Sequence, residues 1–201
     1  TVTPQLINTL TNFESTRQSM KPLSSPFPKP HVSVIIPTYN RARNLRNTLN
    51  SLTWQDFKAF EVIICDDGST DNTKEVIEGF RNVLNLRYRY QENKGFRAAL
   101  TRNMGLKIAR SSLVVFLDSD VVVPATFLST HLKAHQQYPQ NVIVNSYVYR
   151  MLAEDETDLG IPPEEYIPKH RDNLKGDTRD RFQLFEREGL VEETYFLDSN
   201  A

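Results

Sequence analysis

The stretch Leu113-Val-Val-Phe-Leu-Asp-Ser-Asp-Val-Val-Val123 decides how the chain is read. Its β-branched and aromatic residues carry no charge before Asp118, which is the pattern of a strand buried on both faces. The run then meets two carboxylates separated by one serine. In open α/β sheets ligands bind outside the carboxyl ends of the strands, so Asp118 and Asp120 stand where chemistry is done. Two hard oxygen donors at this spacing suit Mg2+ or Mn2+, which takes its other ligands from water and substrate phosphates. A site for a metal and a diphosphate is expected there.

Two segments upstream repeat the pattern. Val32 to Ile36 reads as a buried strand that runs into Pro37-Thr38-Tyr39-Asn40, and Leu45, Leu49 and Leu52 then recur at helical spacing. Arg41, Arg43 and Arg46 lie opposite those leucines and read as a solvated face. Phe60 to Cys65 is the second strand, and it too ends in acid, Asp66-Asp67-Gly68-Ser69-Thr70-Asp71. Ser69, Thr70 or Asp71 can cap a helix whose buried stripe is Val76, Ile77 and Phe80. Asp66 and Asp67 come before the cap, at the strand exit, and point to a ligand.

Leu86 to Gln91 alternates apolar and polar residues as a half-exposed edge strand does. After the turn at Glu92 to Gly95, Phe96, Leu100, Met104 and Ile108 predict a helix with a buried stripe, and Ala98, Ala99, Gly105 and Ala109 allow close packing. Arg97 falls in its first turn, where free amides favour anions, and is a candidate phosphate or nucleobase contact.

Beyond the acidic pair, Pro124 reads as a first-turn proline of a helix through Phe127, Leu128 and Leu132. His131 and His135 share its face, but no third ligand stands at a zinc-binding spacing. Val142 to Tyr149 predicts a strand, Leu152 to Gly176 an acidic surface excursion, Arg179 to Glu188 a short charged helix, and Thr194 to Leu197 a last strand. At the other end, Thr1 to Pro30 has a weak helical pattern at Leu6, Ile7 and Leu10 and prolines at 22, 26, 28 and 30, so residues 1–30 read as a linker or strap.

With 201 residues, one domain over 31–201 is expected. Lys plus Arg number 24 against 25 Asp plus Glu, so no global field favours nucleic acid or an anionic surface. The single cysteine, Cys65, lies in an apolar run and has no internal partner, which fits a reducing, cytosolic setting. No apolar run reaches the roughly 20 residues of a membrane span, so a soluble chain is expected.

If the strands ending near Ile36, Cys65 and Leu117 are parallel and joined by right-handed crossovers, their exits share one edge of one sheet. Thr38 and Tyr39, Asp66 and Asp67, and Asp118 and Asp120 would then line one cleft. Neither the dinucleotide glycine motif nor a P-loop is present, so a metal is expected to hold the diphosphate.

At this point the chain resembles the family 2 glycosyltransferases of the GT-A fold. The matching stretches are Val32-Ser-Val-Ile-Ile-Pro-Thr-Tyr-Asn-Arg41, Glu61-Val-Ile-Ile-Cys-Asp-Asp-Gly-Ser-Thr-Asp71, Asn93-Lys-Gly-Phe-Arg-Ala-Ala-Leu-Thr-Arg-Asn103 and Phe116-Leu-Asp-Ser-Asp120, in order over residues 32–135. The resemblance implies a Rossmann-like, mostly parallel sheet flanked by helices and a nucleotide-sugar donor, UDP-linked in most members, bound with Mn2+ or Mg2+. By match to the motifs, Pro37, Thr38 and Tyr39 border the nucleobase, Asp67 takes the uracil imide, and Arg97 lies beside base and phosphates. Asp118 contacts the ribose, Asp120 holds the metal, and Asp66 has no ligand role. The implied reaction passes the sugar to a hydroxyl of a glycan or other acceptor with inversion.

The general base of this family comes from downstream of the metal motif, after a segment resembling Leu197-Asp-Ser-Asn-Ala201. The chain is therefore expected to be C-terminally incomplete, with its base beyond Ala201; Glu192 and Glu193 are the nearby alternatives. Three rivals are weaker. A phosphoacceptor receiver domain needs its acid pair after the first strand, and a sugar nucleotidyltransferase needs a glycine-rich basic loop there. A non-catalytic nucleotide-sugar binding module is kept open by the lack of a base.

Overall fold

Strand β1 (Val32–Thr38) lies at the centre of a sheet ordered β3-β2-β1-β4, in which every neighbour is parallel. Its partners are β2 (Phe60–Asp66) and β4 (Leu113–Phe116), and β3 (Leu86–Tyr90) forms the edge beyond β2. The structure, a computed structural model, describes residues 26–138, 143–144, 146–151, 175–176 and 193–197. Of the expected elements, the N-terminal strap up to residue 25, most of the acidic excursion and the helix over 179–188 lie outside the described residues.

Period-two alternation gives β1 and β2 two apolar faces, because both are buried on both sides. Val34, Ile36, Val62 and Ile64 face helices α1 (Ala42–Thr53) and α2 (Thr73–Gly79), whose Leu45, Leu49, Leu52, Val76 and Ile77 complete the larger core. Ile35, Ile63 and Cys65 face α3 (Ala98–Leu106), against which Met104, Ile108 and Ala109 pack. Burial pushes the Cys65 thiol up to about 11, with Arg89 opposing the shift, so Cys65 stays a neutral core residue. Parallel strands with helices on both faces form the Rossmann-like GT-A architecture expected from the sequence.

At the amino ends of the strands, Glu61 is fully buried and fully occupied. Its Oε1 accepts from Ser33 Oγ at 2.8 Å and Arg110 N at 2.7 Å, and its Oε2 from Arg87 Nη1 at 3.4 Å. A carboxylate so enclosed serves the sheet.

Four expectations are corrected. The run Leu113–Val123 is not one strand: β4 ends at Phe116, which is 48% exposed, and Val121–Val122 form a separate strand, β5. The turn closed by Val121 N on Asp118 O, 3.2 Å, breaks the ladder between them. The stripe on α3 is also only half right. Met104 and Ile108 pack on the sheet, but Phe96 (97% exposed) precedes the helix and Leu100 (48%) points away, because Thr101 and Gly105 define the inward face.

Pro124 lies before rather than inside the next helix, α4 (Phe127–Gln137). Its carbonyl accepts from Gln55 Nε2 at 2.7 Å while Gln55 Oε1 takes Leu128 N at 3.0 Å, so the buried glutamine starts α4 in place of a first-turn proline. The strand expected from Val142 begins at Tyr147, as β6 (Tyr147–Met151). It joins β7 (Lys175–Gly176), β8 (Glu193–Leu197) and β5 in a second sheet ordered β5-β8-β6-β7, and β8 matches the expected last strand.

Candidate nucleotide and metal cleft

The carboxyl ends of β1, β2 and β4 bring the three expected groups of residues to one sheet edge. Thr38 O accepts from Asp67 N at 2.9 Å, so the exits of β1 and β2 are hydrogen-bonded to each other. Asn40 tightens the junction from a left-handed backbone, φ 50°. Its Oδ1 accepts from Thr70 N at 2.7 Å and its own N donates to Ser69 Oγ at 2.9 Å. Asp71 closes the same loops: Oδ2 takes Ala42 N at the start of α1, and Oδ1 takes Thr73 N and Thr73 Oγ1. Slight burial acts to raise the Asp71 carboxyl, but these hydrogen bonds win and hold it below the usual range. Asp71 is thus a cap shared by two helices.

Asp66 and Asp67 part company. Asp66 is 1% exposed, and both its oxygens are used, Oδ1 by Ser69 N at 2.8 Å and Oδ2 by Tyr88 Oη at 2.7 Å. Burial first, then this carboxylate, pushes the Tyr88 phenol well above its ordinary range, so it stays a donor. Asp67 concentrates its contacts on one oxygen: Oδ1 accepts from Arg97 Nη2 at 2.6 Å and Gln91 Nε2 at 2.7 Å. Oδ2 has no partner among the described residues and remains for a ligand. The next residue, Gly68 (φ 92°), lets the loop pass close to Asn93, since a Cβ there would lie 2.5 Å from Asn93 N.

On β4's side, Asp118 is exposed and paired with Arg102 Nη2, whereas Asp120 is buried and paired with Arg41 Nη1 at 3.0 Å. Each of the three cleft acids, Asp67, Asp118 and Asp120, therefore has an arginine partner. Pro37 is half-buried, Tyr39 presents a 47% exposed ring, and Thr38 is buried with Oγ1 unpartnered among the described residues. Arg97 Nε is likewise buried without a partner among the described residues. Two orphaned polar atoms close to this sheet edge are what a ligand would satisfy.

Sequence reasoning placed Arg97 in the first turn; it is the residue just before α3. It missed Gln91, Arg102 and Arg41. Gln91 ends an edge-strand pattern and carries no signal by itself. Arg41 was assigned to a solvated face, although its position directly after the Pro37–Asn40 exit already put it within reach of the cleft.

A family model described as "Glycosyl transferase family 2" matches residues 33–190. The chain belongs to glycosyl transferase family 2. Among the proteins it is similar to, the validoxylamine A glucosyltransferase of Streptomyces hygroscopicus subsp. jinggangensis is 42% identical over 151 residues, covering 74% of this chain and 36% of that protein. The chondroitin synthase of Escherichia coli is 35% identical over 137 residues, 68% of this chain and 18% of that one. The chain thus spans about a third or less of the length of these relatives. Among solved structures, S. aureus TarS 1–349 in complex with UDP superposes with a TM-score of 0.51 at 34% identity, covering 60% of this chain and 34% of that chain.

The divalent metal that the family resemblance implies fits the donors present. Asp118 and Asp120 offer hard oxygens on either side of one residue. Among the described residues no group of three or more His, Cys, Asp and Glu could hold a metal, so the further ligands would be water and diphosphate oxygens, as Mg2+ and Mn2+ accept. His131, by contrast, is buried on α4 with Nε2 2.9 Å from Ser146 Oγ and its ring edge-on to Phe127.

Proposed function

We propose that this cleft binds a nucleoside diphosphate sugar, UDP-linked, with Mn2+ or Mg2+, and that the protein transfers the sugar to an acceptor hydroxyl with inversion. The observation that carries the reading is the cleft itself: an acid with one oxygen available, two orphaned polar atoms and a second acid pair meet at the carboxyl edge of a parallel sheet. Asp67 Oδ2 accepts the imide N–H of uracil, with Pro37, Thr38 and Tyr39 bordering the base and Arg97 turned between Asp67 and the ligand. Asp118 takes a ribose hydroxyl, and Asp120 is the protein's metal ligand.

When bound, the metal supplies Lewis-acid stabilisation of the charge that develops on the leaving diphosphate. Asp120 fixes that charge centre, and the nucleotide contacts hold the anomeric carbon for attack from the opposite face. The proton of the acceptor hydroxyl goes to a carboxylate base, and residues 31–201 act as the donor-binding part of the enzyme. Relatives named as a glucosyltransferase and, in S. aureus TarS, a β-N-acetylglucosaminyltransferase support a hexosyl or hexosaminyl donor. A glycan or another hydroxyl-bearing molecule is the acceptor. A cytosolic setting goes with this reading, which the buried free Cys65 supports. No described helix is long and apolar enough to cross a membrane.

The test is calorimetric titration with UDP, GDP, ADP and CDP, each with Mn2+ and with EDTA. Metal-dependent binding of UDP, lost in Asp120→Ala, is expected. Equal binding of all four nucleotides, or binding indifferent to both EDTA and the substitution, would sink the reading.

A further inference from the structure

We infer that Arg41 is a positioning residue that makes metal capture by Asp120 conditional on the nucleotide diphosphate. The inference rests on the donor-site reading above. Arg41 Nη1 lies 3.0 Å from Asp120 Oδ2, with the two side chains 31% and 11% exposed and their positions 79 residues apart in sequence. The base of this arginine is anchored. It stands between Asn40, clamped to Ser69 and Thr70, and Ala42, whose N–H is held by Asp71 at 3.0 Å. Its long side chain reaches across the cleft from that fixed point.

A guanidinium and a divalent cation cannot both use this carboxylate oxygen without repelling each other. In the cleft without nucleotide, the arginine therefore competes with the metal. Arrival of a diphosphate changes the balance, because its oxygens match the planar guanidinium fork and offer Arg41 another anion. Arg41 then releases Asp120 to the metal and follows the phosphate charge. Arg97 and Arg102 hold acids assigned to the base and the ribose, so Arg41 alone of the three couples directly to the metal ligand. By linkage, whatever UDP adds to metal affinity the metal adds to UDP affinity.

Mn2+ binding to the whole chain, read by the spectroscopic signal of free Mn2+ with and without UDP, tests this. The wild-type chain should bind Mn2+ weakly alone and more tightly with UDP. Arg41→Gln should bind Mn2+ alone about tenfold more tightly, and the gain from UDP should shrink by a similar factor. Arg41→Lys, which keeps the charge, should stay nearer the wild type, and Asp120→Asn should bind little metal in either state. An Arg41→Gln chain with wild-type Mn2+ affinity and wild-type gain from UDP overturns the inference, as does an Arg41→Lys chain that matches Arg41→Gln. A wild-type chain that binds neither UDP nor Mn2+ overturns the donor-site reading and this inference with it, so the two failures are distinct.

Discussion

Asp67 Oδ1 takes two donors, Arg97 Nη2 and Gln91 Nε2, and Gln91 Nε2 also reaches Thr101 Oγ1 at 3.1 Å. The glutamine thus ties the acid to the first turn of α3 and fixes which carboxylate oxygen is left open. Hydrogen bonds to a charged group contribute about 1.5–3 kcal/mol, so Gln91→Leu should weaken UDP binding by about tenfold or more in a titration with Mn2+. A variant with unchanged affinity would mean that Arg97 alone orients Asp67. At this scale the sequence identified the acids and Arg97 because strand exits are legible from local pattern. The partners Gln91, Arg102 and Arg41 were not legible, since a side chain's reach across 16 to 79 residues leaves no periodicity to read.

Helix α3 shows why a four-residue stripe can mislead. Gly105 sits so close to the sheet that a Cβ would fall 2.5 Å from Ile35 Cγ2 and 3.0 Å from Cys65 Sγ. That contact, rather than Phe96 or Leu100, sets which face turns inward, and Gly105 was the better guide. Gly105→Ala should destabilise the fold by about 1–3 kcal/mol through overpacking, despite alanine's better helix propensity. Phe96→Ser should leave stability within about 0.5 kcal/mol, as expected for an exposed position. Urea denaturation of both variants checks the pair, and the reverse ranking would mean that α3 packs through its amino end. Element existence was otherwise readable from apolar runs, whereas the start of α4 depended on Gln55, whose contacts the runs do not encode.

Across the whole molecule, the order β3-β2-β1-β4 was expected in kind, because apolar strands alternating with helical patterns call for a parallel sheet. The second sheet was not, since β5 and β7 are only two residues each and short pairings have no sequence period. His131 ties α4 to Ser146, just ahead of β6 of that sheet, and the burial of this imidazole gives the fold a pH dependence. Burial first, then the neighbouring His135, pulls the His131 imidazole down to about 4. In the unfolded chain it returns to about 6.5, so between those values the unfolded state binds a proton that the folded state does not. Stability from this residue is therefore complete above pH 6.5 and declines as pH falls towards 4. The loss between pH 7.5 and 5 is about 2 kcal/mol, at 1.36 kcal/mol per pH unit once the unfolded imidazole is charged. Urea midpoints at pH 7.5, 6 and 5 should fall accordingly in the wild type. In His131→Leu the same series should be nearly flat, even if its stability at pH 7.5 is lower through the lost bond to Ser146. A variant that keeps the wild-type slope would assign the proton to another group.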